Sequence, residues 1–84
     1  MKKRKLLNKI LQGSKNIHFH DFVNLIEGFG FKLIRTKGSH HIYGHDEINE
    51  LINLQNVDGK AKPYQVKQFL EIIEKYNLKL EDEP

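Results

Sequence analysis

The sequence predicts an α+β fold: a three-stranded antiparallel sheet with two helices on one face (α-β-β-β-α) and an extra helix at the N-terminus. Three observations lead there. Apolar residues recur at helical intervals in two segments, Phe19, Phe22, Val23, Ile26 and Phe29 in one, Val66, Phe69, Leu70, Ile73 and Tyr76 in the other. Between them lie three short strand-forming runs separated by turn residues. A chain of 84 residues has room for one hydrophobic core and no second.

Lys3 to Leu11 places Leu6, Leu7, Ile10 and Leu11 on one side of a short helix that Gln12-Gly13-Ser14 ends. This element has two readings, an amphipathic helix docked on the domain or a basic arm lying along nucleic acid. The second helix is expected from about His18 to Gly28, with Gly30 as its left-handed stop. Phe31 to Thr36 reads as a strand, Lys37-Gly38 as a turn, and Ser39 to Tyr43 or beyond as the second strand of a hairpin. Gly44 to Asn49 then forms a loop, and Glu50 to Leu54 a third strand. Asn56 to Lys60 is another turn, and Pro63 suits the first turn of a last helix that ends near Asn77. The chain thus divides into a basic N-terminal helix over 1–14, one domain over 15–80 and an acidic tail over 81–84.

The absence of cysteine excludes disulfide frameworks, thiolate metal sites and cysteine nucleophiles, and it fits a reducing compartment. Apolar clusters are short and broken by charge, so no membrane span is expected, and Asn8 and Lys9 interrupt what would be a signal-peptide core. These features suggest a cytoplasmic protein. Removing Glu81, Asp82 and Glu83 from the net charge of +3 leaves a body of about +6. Such a surface attracts phosphate polymers, although solvated lysines produce the same count.

Three of the five histidines, His40, His41 and His45, fall in one short stretch. Histidine titrates near neutrality, so one side chain can both accept and donate a proton during RNA cleavage. Gly38-Ser39 before His40 makes a tight turn in which backbone donors cluster, a place for a phosphate oxygen, and Arg35 and Lys37 add positive charge. The plainer alternative is a polar hairpin whose histidines decorate a solvent edge. A metal site fits less well: His40 and His45 face opposite sides of a regular strand, as do His40 and His41, while His18 and His20 diverge around a helix. Tyr43 either stacks on a base or packs within the sheet. One register question stays open. His40 and Ile42 share a face in an unbroken strand, so either His40 sits at a frayed strand end or Tyr43 and not Ile42 faces the helices.

The order Phe29-Gly30-Phe31, a strand through Arg35, Lys37-Gly38-Ser39-His40-His41-Ile42-Tyr43 and the final Pro63-Tyr64-Gln65-Val66-Lys67-Gln68-Phe69-Leu70 resembles the HicA family of toxin-antitoxin ribonucleases, over roughly His18 to Leu78. The resemblance implies a double-stranded-RNA-binding-domain-like fold and metal-independent cleavage of mRNA by one histidine in a Gly-Ser-His motif, with no cofactor and no small-molecule ligand. It assigns catalysis to His40, with Gly38 and Ser39 as its motif partners; together with the reading of the residues above, the expected RNA or phosphate contacts are Arg35, Lys37, Gly38, Ser39, His41 and Tyr43. It also implies a HicB-type antitoxin partner. Many family members carry a proline and a histidine on the third strand, where this chain has Ile52-Asn53-Leu54-Gln55, which leaves His41 or Lys37 to supply any second functional group. The run Gly44-His45-Asp46-Glu47 is more acidic than the family's common form. The alternative is a non-catalytic RNA-binding module of the same fold, and beyond it a structural interaction domain that neither binds nor cuts RNA.

Overall fold

The chain folds in the order α1 (Lys3–Leu11), α2 (Phe19–Gly28), β1 (Phe31–Lys37), β2 (His40–His45), β3 (Leu51–Gln55) and α3 (Pro63–Lys75). This computed structural model describes residues 2–81, so the acidic tail beyond Glu81 lies outside the described residues. The strands form one antiparallel sheet in the order β1-β2-β3, with the helices against one face, the α+β arrangement the sequence predicts. No helix among the described residues is long and apolar enough to cross a membrane.

Helix α1 is docked. It lies against α2, and Leu6 and Ile10 are only 2% and 3% exposed, so its apolar side is used within the fold. Gly28 permits the approach, because a side chain there would run into the Lys3 stem and Leu80. The Glu81 N–H donates to the Gly28 carbonyl at 2.7 Å, bringing the C-terminal segment over the same spot.

Helix α2 starts at Phe19 because His18 is extended and belongs to a short pairing with the β3–α3 connection. The Phe19 N–H donates to the Gly59 carbonyl at 2.8 Å and the Ala61 N–H to that of Ile17 at 2.9 Å. Asp58 and Gly59 both have positive φ, 54° and 80°, which a two-residue type I′ turn requires. This pairing buries Ile17 and Ala61, which no local periodicity marks as core.

Phe69 of α3 stands at the centre of the core. Its ring meets those of Phe22 and Phe29 edge to face, with centroids 5.5 and 5.3 Å apart. Phe31, Tyr43, Ile52 and Leu54 close the core from the sheet. Each large apolar side chain buried this completely contributes about 1.5–3 kcal/mol, and a domain this small depends on every one.

Tyr43, not Ile42, faces the helices, which answers the register question: side chains alternate along β2, so Ile42 and His40 stand on the outer face. In β1 the alternation is interrupted. Leu33 pairs with Tyr43 and Arg35 with Ile42, leaving Ile34 as an extra residue in a bulge. Ile34 leans over Gly44 on the outer face, where a side chain at Gly44 would collide with it.

The strand limits differ from expectation at the hairpin. Ser39 lies in the turn with Gly38 (φ 61°), and β2 continues through Gly44 and His45 instead of giving way to a loop. His45 holds that extension. Its Nε2 donates to the Phe29 carbonyl at 2.9 Å, its Nδ1 accepts from the Glu47 N–H at 3.1 Å, and its ring meets Phe31 edge on.

Glu50, just before β3, ties the sheet to the end of α3. Lys75 Nζ lies 3.3 Å from its carboxylate, and hydrogen bonds from Tyr76 and then Lys75 hold the Glu50 carboxyl below the usual carboxylate range. A lowered carboxyl pKa stabilises the fold above the unfolded value, about 4.3, and the contribution fades as pH falls through the folded value. The stability difference between the parent and Glu50→Gln, measured by urea unfolding across a pH series, is therefore expected to be largest near neutrality and to shrink in acid. A difference independent of pH would contradict this role.

Candidate active site on the outer sheet face

Glycine at positive φ in the first position of a two-residue turn matches the twist of the flanking strands, and Gly38-Ser39 makes that turn between β1 and β2. His40 is the first residue after it, exposed on the outer face and paired directly across from Lys37. Strict alternation from Phe31 would put Arg35 and Lys37 on the helix-facing side with Leu33. The bulge at Ile34 reverses the parity, so both cations share the outer face with His40.

The third strand supplies the other neighbours. His40 pairs with Gln55 and Ile42 with Asn53, so both polar side chains of β3 are on the face of His40. His40 Nδ1 lies 3.0 Å from Asn53 Oδ1, and since a carboxamide oxygen only accepts, the ring donates. A neutral imidazole that donates through Nδ1 carries its lone pair at Nε2. Gln55 Nε2 donates to Ser39 Oγ at 3.3 Å, which leaves the serine hydroxyl proton free to be given elsewhere. Asn53 and Gln55 were not among the residues singled out from sequence. The signal that points to them is their spacing of two in a strand whose intervening residue, Leu54, is buried.

Two of the expected RNA contacts lie on the helix-facing side of the sheet, away from His40. Tyr43 is 3% exposed against the helices, so its ring is not open to a base. Burial, and after it the Glu27 carboxylate, raise its hydroxyl above the usual phenol range. His41 also points inward, its ring 5.4 Å from that of Phe19 and its buried Nδ1 without a hydrogen-bond partner among the described residues. It therefore does not stand beside His40 as a second proton carrier. The remaining histidines are also apart: His45 is held in the β2–α2 contact, and His18 and His20 flank Phe19 at the start of α2.

The result is a small basic α+β protein with one open sheet face on which a hydrogen-bonded histidine stands among cations and hydroxyl and amide groups. Residues 19–74 match the family model described as the HicA toxin of bacterial toxin-antitoxin systems, and the chain belongs to that family. It is therefore the toxin of a toxin-antitoxin pair, and its partner is an antitoxin. The match begins at α2, so α1 lies outside it. No match was found among curated proteins or among solved structures.

If Tyr43 serves the core, Tyr43→Ala should cost about 3–5 kcal/mol in urea unfolding, the range for truncating a buried aromatic. Stability equal to that of the parent would return Tyr43 to the solvent face.

Proposed function

We propose that this toxin is a metal-independent endoribonuclease that cuts mRNA by 2′-hydroxyl attack, with His40 as its general acid and base. The observation that carries the reading is the hydrogen bond from exposed His40 Nδ1 to Asn53, which orients the ring and, in its neutral form, leaves the lone pair at Nε2. His40 Nε2 takes the proton of the 2′-hydroxyl, and the oxygen attacks the adjacent phosphorus. The bond to the 5′-oxygen breaks, and the imidazolium returns its proton to that leaving oxygen. The products are a 2′,3′-cyclic phosphate and a 5′-hydroxyl end.

Lys37 and Arg35, on the same face, oppose the charge that builds on the phosphate. The Gly38-Ser39 turn offers backbone N–H groups and the Ser39 hydroxyl to a phosphate oxygen, with Gln55 holding the serine. Neither His41 nor Tyr43 takes part. The protein acts in the cytoplasm, where mRNA is found, and its antitoxin is of the HicB type.

Purified parent protein is expected to cleave RNA and His40→Ala to lose about 10²–10⁴-fold in rate, the usual worth of a general acid-base group. Because His40 is exposed, its removal should leave the unfolding midpoint near that of the parent. Cleavage by the variant at the parental rate would refute the mechanism. Binding without cleavage by the parent would favour the RNA-binding module.

A further inference from the structure

We infer that Gln65, on the first turn of α3, is a positioning residue for His40 and Ser39. Of the polar and charged side chains among the described residues, Gln65 is the one that is buried, at 2% exposure. It stands at the outer edge of β3, where a strand with no further neighbour leaves backbone groups unpaired. Its Nε2 donates to the Asn53 carbonyl at 3.0 Å, and its Oε1 accepts from the Gln55 N–H at 3.3 Å. A carboxamide that bridges the carbonyl of one residue and the N–H of the second residue onward reproduces the contact of a neighbouring parallel strand. One side chain of α3 thus completes the edge of the sheet.

The two residues it holds are the two whose side chains meet the site. Asn53 accepts from His40 Nδ1, and Gln55 donates to Ser39 Oγ. A backbone shift at either residue moves the corresponding side chain, and loss of the Asn53 contact frees the imidazole to take the other tautomer or to rotate. Gln65 reaches no reacting atom. It acts through β3, and the inference rests on the proposed role of His40.

Substitution by methionine keeps the length of the side chain and removes both hydrogen bonds. Gln65→Met is expected to lower the cleavage rate constant about tenfold with little change in KM. It is also expected to convert the neutral ring of His40 from a single Nδ1–H tautomer into a mixture, read from ¹⁵N–¹H correlations of the imidazole above neutrality. A merely structural residue would lower the melting temperature without changing the tautomer. Gln65→Glu keeps the acceptor for the Gln55 N–H but sets a carboxylate oxygen against the Asn53 carbonyl, and it should shift the tautomer in the same direction.

Parental activity and an unchanged tautomer in Gln65→Met would overturn the inference. Two measurements on the parent protein test it even if both variants fail to fold. The Gln55 amide should be protected from hydrogen exchange, and His40 should be protonated at Nδ1; rapid exchange or an Nε2–H tautomer would each defeat it. The tautomer is read without RNA. A parent that cuts no RNA, together with a tautomer shift in Gln65→Met, would therefore sink the catalytic reading and leave the positioning role standing.

Discussion

Burial of Tyr43 against the helices sets the parity of β2, and every feature of the outer face follows from it. With Tyr43, Ile52 and Leu54 committed to the core, a period of two forces His40, Asn53 and Gln55 outward together. A slip of one residue would bury the histidine and expose the tyrosine, at the cost of several kcal/mol of apolar burial. Only β1 departs from the period. Its extra residue at Ile34 turns Arg35 and Lys37 to the face they would otherwise leave, and the missing side chain at Gly44 makes room for the isoleucine that the bulge displaces.

The polar groups of that face are held from the edge of the sheet. Gln65 bonds the edge of β3, β3 presents Asn53 and Gln55, and these fix the histidine ring and the serine hydroxyl. The arrangement separates two demands. A side chain that takes and gives protons must be open to substrate, while one that fixes its orientation is best kept from competing water. Here the outward members, His40, Asn53 and Gln55, are strand residues of the open face, and the buried member, Gln65, is on the helix at the edge of β3.

The elements were legible in the sequence because each has a local cause: apolar spacing for α1, α2 and α3, glycine at Gly30 and Gly38, and proline at Pro63. His40 was legible too, through its place after Gly38-Ser39. What local patterns do not carry is parity and partnership. The side facing the helices is chosen by what the helices bury, so the outward face of His40 and the inward faces of His41 and Tyr43 required the assembled sheet. The Ile34 bulge is defined only against β2. Asn53 and Gln55 are ordinary polar residues until the register places them across from Ile42 and His40. Gln65 reads as one more polar residue of an amphipathic helix, and its burial appears only where α3 crosses the edge of β3.

The central claim is that the lone pair at His40 Nε2 starts an attack by the RNA's own 2′-hydroxyl. The measurement that tests it most directly is the chemistry of the ends left by the purified toxin, freed of its antitoxin, on RNA in the presence of a chelator. The account predicts 2′,3′-cyclic phosphate and 5′-hydroxyl ends, with cleavage undiminished by the chelator. Ends bearing 3′-hydroxyl and 5′-phosphate groups would contradict it, because they require an external nucleophile that this mechanism does not use.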